Sequence, residues 1–517
     1  MDLFAGRNRQ TPLNRKQMQK SVIEYLQKTV ETYPDKVAVQ DAEGSITFRE
    51  LWRHAHGVAA AIGDLRNSPV GVYLPKSCKM IEAFSGISLS GNFYVPLDTK
   101  SPASRVESIL NTLEAKSVIT DRVHAGQLNG FFTGKVVVME DIAADGSGFD
   151  ADASLRDQID TDPVYCIFTS GSTGTPKGVV IAHRGVIDYI DWAIGAFHID
   201  STSIIGNQAP FYFDNSTLDI YLMYATGATL DIIPESYFAF PAKLVDYLDE
   251  HRISLVFWVP FVLVNIANLD IFRSKKPRYL QYVIFAGEVM PNKHLNYWRK
   301  NLPDCLYANL YGPTEITVDC TYYIVNREFS DDEPLPIGVP CRNSDVLILV
   351  DRKRKAAPGE YGELCVRGSS LALGYYNNPE KTSSSFIQNP LNNHYPETVY
   401  CTGDIVYENE RGEIMYVGRA DAQIKHNGYR IELGEIETAV LGTRMVDNCC
   451  VVYDFENKKI VLFYQAKKEL NLAEFRKALS GSIPRYMLPA EYHREEILKQ
   501  NSSGKVDRAF YNKQFKR

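Results

Sequence analysis

The sequence predicts an α/β protein that also carries α+β elements. A large N-terminal domain of stacked sheets includes a small β-rich subdomain, and a small, mobile α+β domain follows it. Three features of the chain predict this. Short apolar runs alternate with polar or helical stretches through the first part of the chain, the pattern of largely parallel sheets built from strand–helix–strand units. From about Ser344 the apolar runs crowd together, with Gly and Pro turns between them. After Arg419 helical and strand patterns mix again in short segments. A length of 517 residues also exceeds one ordinary domain.

Thr47-Phe48-Arg49-Glu50 fits a capping box, with Thr47 as N-cap and Glu50 three residues on. Leu51, Ala55, Val58 and Ile62 then mark one face of a helix. Buried strands are expected at 70–74, 117–120, 136–139 and 165–169. In the β-rich part, strands are expected at 346–350, 362–366 and 414–417. Beyond it, 434–441 and 472–479 look helical and 450–453 and 460–464 look like strands. The expected domains are residues 1–420, with the β-rich subdomain at about 344–420, and residues 421–517.

Hydrophobic residues make up 45% of the chain and charged residues 23%, values that suit a folded globular protein. The net charge of −7 speaks against a nucleic-acid partner. No run of about 18 apolar residues occurs, so no membrane span is expected. The opening segment MDLFAGRNRQTPLNRKQMQK has no apolar core, so no secretory signal is expected and the location is read as cytoplasmic. The nine cysteines are scattered and none forms a CxxC pair, which speaks for reduced, buried thiols and against a disulfide framework or zinc site.

The most informative string follows the strand at 165–169. Thr169-Ser170-Gly171-Ser172-Thr173-Gly174-Thr175-Pro176-Lys177-Gly178 offers backbone N–H groups, glycines, hydroxyls and a lysine in one loop. Glycines let the backbone approach a polyphosphate, hydroxyls donate to it, and lysine neutralises it. The string does not match a Walker loop. It resembles the signature loop of the acyl-adenylate-forming (AMP-binding) superfamily, which includes acyl-CoA synthetases, luciferases and the adenylation domains of peptide synthetases.

Further strings carry the same resemblance in the same order. Asn309-Leu310-Tyr311-Gly312-Pro313-Thr314-Glu315 looks like the family's adenine and magnesium motif. The ring of Tyr311 suits a purine, and Glu315 is a hard oxygen ligand suited to Mg²⁺. Gly287 and Glu288 join the nucleotide set. Tyr400-Cys401-Thr402-Gly403-Asp404 resembles the ribose motif, and Tyr416-Val417-Gly418-Arg419 follows it. Asp421 sits where the family has its hinge. Residues 428–432 resemble the loop that rotates in for a second half-reaction, and Lys505 matches the family's late lysine. The resemblance covers nearly the whole chain. It implies ATP as cosubstrate and Mg²⁺ as cofactor, with Lys505, Glu315 and Thr314 as catalytic residues.

Phe211-Tyr212-Phe213-Asp214-Asn215-Ser216 points to a branch of the family. Members that activate amino acids place an aspartate here to pair with the substrate ammonium, because an unpaired buried charge is costly. The alternative for Asp214 is a cap on the next helix. Asn207–Phe211 and Ala286–Pro291 resemble the D-alanine–carrier-protein ligases in particular. By family position the pocket comprises Asp214, Asn215, Leu218, Phe257, Ile284, Ala286, Leu310, Val318, Asp319 and Lys505. Phe257 and Leu310 are bulkier than expected for the D-alanine enzymes and argue for a small substrate. Asp319 hints instead at a polar or cationic side chain, or is satisfied by nearby backbone.

The resemblance implies a carboxylate activated as acyl-AMP with loss of pyrophosphate, then transferred to a thiol. That thiol belongs to phosphopantetheine on a carrier protein acting in trans, or to coenzyme A. An acyl-CoA synthetase for a non-amino acid and a catalytically silent nucleotide-binding relative stay open as alternatives. Asp214 argues against the first, and the joint presence of Lys177, Glu315, Asp404 and Lys505 against the second.

Overall fold

A computed structural model describes residues 19–143, 145–146, 148–170, 176–419, 423–466, 468–500 and 506–515. Two large sheets form the first part of the chain. A seven-stranded sheet runs in the order Gly374–Tyr375, Lys177–Ala182, Pro163–Thr169, Phe93–Pro96, Pro69–Tyr73, Ser117–Thr120 and Lys135–Val138. Its last five strands are mutually parallel. A nine-stranded sheet has parallel strands Leu306–Tyr311, Tyr282–Phe285, Leu255–Trp258, Ile204–Asn207 and Thr229–Ile232 at its centre. Most central strands are buried along their length, the expected state of parallel strands covered on both faces.

Helices fill the space around these sheets. The predicted capping box is present: Glu50 N–H donates to Thr47 Oγ1, and the Thr47 N–H donates to the Glu50 carboxylate. Leu51, Ala55, Val58 and Ile62 are all buried on the helix that follows, Phe48–Ile62. That helix packs on Cys78–Leu89 at Gly86, where a Cβ would lie 2.4 Å from Val58 Cβ. Any larger residue there would force the two helices apart.

The β-rich part forms a six-stranded antiparallel sheet that includes Ser344–Val350, Gly362–Gly368, Thr398–Glu408 and Ile414–Arg419. The C-terminal part has the hairpin Gln423–His426/Tyr429–Glu432, a three-stranded sheet and the helices Leu433–Gly442 and Leu472–Ser480. Two of its core clusters draw only on residues from Ile424 onward. The expected boundary at Asp421 lies outside the described residues. Among the described residues no helix is long and apolar enough to cross a membrane.

Candidate functional site

The glycine-rich string is flanked by two paired strands. Strands Pro163–Thr169 and Lys177–Ala182 pair antiparallel, with Thr169 directly opposite Lys177. This register holds the lysine at the sheet end, where Lys177 Nζ is 3.7 Å from Glu315 Oε1 and 5.2 Å from the Tyr375 ring centroid. Burial, and then the charge of Arg430, lowers the Lys177 pKa to about 8. Thr169 Oγ1 is buried with no hydrogen-bond partner among the described residues. An orphaned donor beside a lysine suits an anionic ligand. Gly171, Ser172, Thr173 and Gly174 lie outside the described residues, as does Lys505.

Glu315 follows the strand Leu306–Tyr311 in a short 3₁₀ turn, Thr314–Ile316. The turn is tight because Gly312 has no side chain; a Cβ there would lie 2.4 Å from Val318 O. Glu315 is fully buried, accepts from Tyr375 Oη at 2.7 Å, and pairs with Arg430 Nη1 at 2.7 Å. Burial acts to raise its pKa, but Arg430 and Lys177 outweigh it and hold the carboxyl well below the usual range. The same loop carries Thr317 and Val318 at φ 58° and 72°. β-branched residues rarely adopt this region, and the strained pair precedes the buried Asp319.

Asp404 is buried at a bulge within the strand Thr398–Glu408. Its carboxylate takes Arg419 Nη1 at 3.0 Å and the Tyr311 hydroxyl. Thr402 Oγ1 accepts the Asp404 N–H at 3.0 Å, and Glu363 Oε1 accepts the Gly403 N–H at 2.9 Å. Tyr416 lies beside Tyr311, with ring centroids 6.2 Å apart. Asn309 donates to Pro336 O at 2.8 Å, so its amide is already committed to holding the fold. Glu288 accepts the N–H groups of Phe261 and Gly428, at 3.1 and 2.8 Å.

One cavity of about 70 Å³ brings together Thr169, Ser170, Asp214, Asn215, Gly287, Gly312, Pro313, Thr314, Asp404 and Arg419. Eight of the expected nucleotide residues and the expected ammonium partner therefore line one cavity. Burial raises the Asp214 pKa, while a hydrogen bond from Thr314 and the charge of Arg430 oppose it. Asn215 Nδ2 is buried without a hydrogen-bond partner among the described residues. Leu218, Phe257, Ile284, Ala286, Leu310 and Val318 do not line this cavity. They pack together in the main core cluster instead.

The backbone alternative for Asp319 is corrected by the structure. Its Oδ2 accepts from the Tyr189 hydroxyl at 2.6 Å, a side chain 130 residues away. Burial and the nearby Asp214 push its carboxyl up to about 8 against that hydrogen bond. A folded-state pKa above the unfolded value of about 3.9 stabilises the fold fully below that value. The contribution is lost as pH rises toward 8. Asp319→Asn should therefore gain thermal stability relative to wild type as pH rises from 5 to 9. A pH-independent difference in Tm would show that Asp319 is ionised throughout.

Several residues at the site had no role assigned from sequence. Arg430, on the hairpin strand Tyr429–Glu432, reaches Glu315, and Ser170 Oγ donates to its carbonyl at 2.8 Å. Lys425 Nζ is 5.6 Å from the Tyr311 ring centroid, and its pKa is lowered by burial against the charge of Asp404. Arg105 lines the cavity and pairs with Glu435 at 2.5 Å. The string around Arg430 signalled its loop, but no local pattern marked Arg105 or Tyr375. A second groove of about 680 Å³ is lined by Tyr212, Phe213, Val259, Phe261, Tyr429 and Tyr486. Phe213, Asn215, Gly428 and Tyr486 wall both spaces, so the groove abuts the smaller cavity.

The family model for AMP-binding enzyme matches residues 26–376. The chain is 31% identical to zwittermicin A synthase ZmaJ of Bacillus cereus, over 92% of this chain and 91% of the relative. It is also 31% identical to the D-alanine–D-alanyl carrier protein ligase of Bacillus velezensis, over 92% of this chain and 95% of that protein. Its fold resembles that of the Vibrio cholerae adenylation domain AlmE, solved in complex with glycyl-adenosine-5'-phosphate. The TM-score is 0.83 at 20% identity, covering 96% of this chain and 98% of that one.

Proposed function

The chain belongs to the AMP-binding enzyme family, and from that premise we propose that it activates a small amino acid with ATP and passes the aminoacyl group to a carrier-protein thiol. It is an ATP-dependent amino acid–carrier protein ligase. The observation that carries the proposal is the single cavity walled both by Asp214 and by the residues of the nucleotide motifs.

In the first half-reaction the substrate carboxylate attacks the α-phosphorus of ATP, and the bond to pyrophosphate breaks. Asp214, oriented by Thr314, pairs with the ammonium and aims the carboxylate. Thr169, Ser170 and Lys177 receive the phosphates, while Asp404, steadied by Arg419 and Tyr311, receives the ribose. Lys505 bridges the carboxylate and α-phosphate as negative charge builds. Catalysis of this kind is positioning plus charge stabilisation. Glu315, kept ionised, is a hard donor that suits Mg²⁺, which when bound neutralises phosphate charge. Arg430 occupies the same carboxylate here, so Glu315 would be open to Mg²⁺ once Arg430 is withdrawn.

The placement of Arg430 on Glu315 supports a two-state scheme. Residues 421–517 act as a mobile unit hinged at Asp421, and the arrangement with Arg430 inside the site belongs to thiol transfer. The groove beside Phe213 and Gly428 is then the approach for phosphopantetheine on a carrier protein. Its aromatic walls suit the chain of that group and exclude bulk water.

ATP–pyrophosphate exchange across a panel of acids tests the proposal. Glycine, alanine and serine should be exchanged best; propionate or a benzoate exchanging better than any amino acid would overturn the substrate class. Phe257 is fully buried among the apolar residues assigned to the substrate pocket. Phe257→Ala should therefore widen selectivity toward larger side chains, by about 1–3 kcal/mol for each methylene accommodated. Wild-type preference for phenylalanine or tryptophan would count against a pocket closed by Phe257.

A further inference from the structure

Two thiols meet in the β-rich sheet, neither of them lining the nucleotide cavity, although Cys401 lies in the string that ends at Asp404. Cys365 on Gly362–Gly368 stands directly opposite Cys401 on the antiparallel strand Thr398–Glu408. Their sulfurs are 3.3 Å apart. Directly opposed antiparallel residues have Cα atoms about 4.5–5.5 Å apart, inside the range of about 4.4–6.8 Å that a disulfide spans. Both residues are buried beside Leu349 and Val399, with Cys401 6% exposed and Cys365 wholly covered. Cys365 S–H donates to the Cys401 sulfur, and this contact holds the Cys401 thiol below its ordinary pKa.

From this geometry we propose that Cys365 and Cys401 are a peroxide-sensitive pair that closes a cross-strand disulfide and thereby weakens nucleotide binding. The Cys401 thiolate sulfur attacks one oxygen of hydrogen peroxide. The O–O bond breaks, and hydroxide leaves and is protonated to water, giving a sulfenic acid. The Cys365 sulfur then attacks the Cys401 sulfur. The S–O bond breaks, and the departing hydroxide takes the Cys365 proton as a second water. Two thiols are oxidised by two electrons and one peroxide is reduced by two.

The link to nucleotide lies in the neighbouring residues. The ladder between these strands is irregular between Glu363 and Cys365. Across that irregularity Thr402 Oγ1 donates to Leu364 O at 2.7 Å, and the Gly403 N–H reaches Glu363. These contacts present Asp404 to Arg419 and Tyr311. Closing the sulfurs from 3.3 Å to a bond of about 2.05 Å fixes both cysteine side chains in new rotamers one residue before Thr402 and so perturbs the contacts that hold Asp404. A soft metal is the competing ligand, since Glu363 and both sulfurs lie within 4.8 Å of one another. Both Glu363 oxygens are already used, by Arg352 Nε and Nη2 at 2.6 and 2.8 Å and by the Gly403 N–H, which disfavours it.

The cross-link does not depend on the proposed reaction, whereas its effect on nucleotide rests on the role given to Asp404. The test treats the reduced full chain with hydrogen peroxide, blocks free thiols with N-ethylmaleimide, and reads linked peptides by mass spectrometry and AMP affinity by calorimetry. We expect a 365–401 link and AMP binding about tenfold weaker, the cost of loosening one hydrogen bond to a charged group. Dithiothreitol should reverse both. Cys365→Ala and Cys365→Ser should each bind AMP normally, form no 365–401 link and keep their AMP affinity after peroxide; if Cys365→Ala does not fold, Cys365→Ser decides alone. Two alkylated thiols, a sulfinic acid at Cys401, zinc held one-to-one with both thiols protected, or a linked protein with unchanged AMP affinity each overturn the proposal. Untreated protein that fails to bind AMP overturns the Asp404 assignment, and the mass measurement still decides the cross-link.

Discussion

Asp214→Ala should lower kcat/KM for the amino acid by about 30- to 5,000-fold, while ATP affinity changes little. Truncating one partner of a buried, hydrogen-bonded charge pair costs roughly 2–5 kcal/mol, which gives that range. Asp214 has the required setting: burial has raised its pKa, and only the Thr314 hydroxyl, the Asn215 N–H and the charge of Arg430 oppose that. The following helix, Ser216–Thr226, has no side-chain cap at Asn215. The sign of the pH dependence follows. Below its raised pKa Asp214 is neutral and cannot pair with an ammonium, so kcat/KM should fall as pH drops through that value. The acid limb should lie above the ordinary aspartate range and vanish in Asp214→Asn. Near-normal activity of Asp214→Ala would reduce the residue to a local turn anchor.

Lys505→Ala should slow ATP–pyrophosphate exchange by about 10²–10³, by analogy with the loss of one preorganised donor to developing negative charge. Transfer from chemically supplied aminoacyl-AMP to the carrier thiol should be nearly untouched, because the proposal gives Lys505 a role in the first half-reaction alone. Asp421→Pro should do the reverse. A fixed φ at the hinge hinders rotation, so exchange survives and thioester formation falls. The pairing of Arg430 with Glu315 supplies a physical reason for separable steps, since both Glu315 oxygens are taken here, by Arg430 and by Tyr375, and Glu315 would serve a metal ion only with Arg430 withdrawn. Equal loss in both assays for Lys505→Ala, or loss in neither, would rule out alternating domains for this chain.

Local pattern carried most of the secondary structure. The capping box at Thr47 and Glu50, the helical face through Leu51 and Ile62, and the strands at 117–120 and 460–464 are short-range features. Their signals, N-cap chemistry and apolar periodicity, act over a few residues. The site's chemical character was legible for the same reason: a Gly- and hydroxyl-rich turn, a Gly-Pro-Thr-Glu string and a Thr-Gly-Asp turn each have a backbone need that few residues meet. Asp319 was only half legible. Its identity suggested a polar pocket, but its partner Tyr189 lies on a distant helix that no spacing rule connects to it.

By itself, then, the sequence determined the family, the order of the strands and helices, and which side chains are candidates for nucleotide and substrate. The tertiary structure decided which of them touch. It placed Arg430 on Glu315 across 115 residues, joined Arg105 to Glu435 across 330, and set Cys365 against Cys401 through strand register. Propensity and capping are summed along the chain and can be read there. Ion pairs, buried carboxylate pKa values and cross-strand contacts depend on distances through space and on water excluded by packing, and only the folded chain sets those.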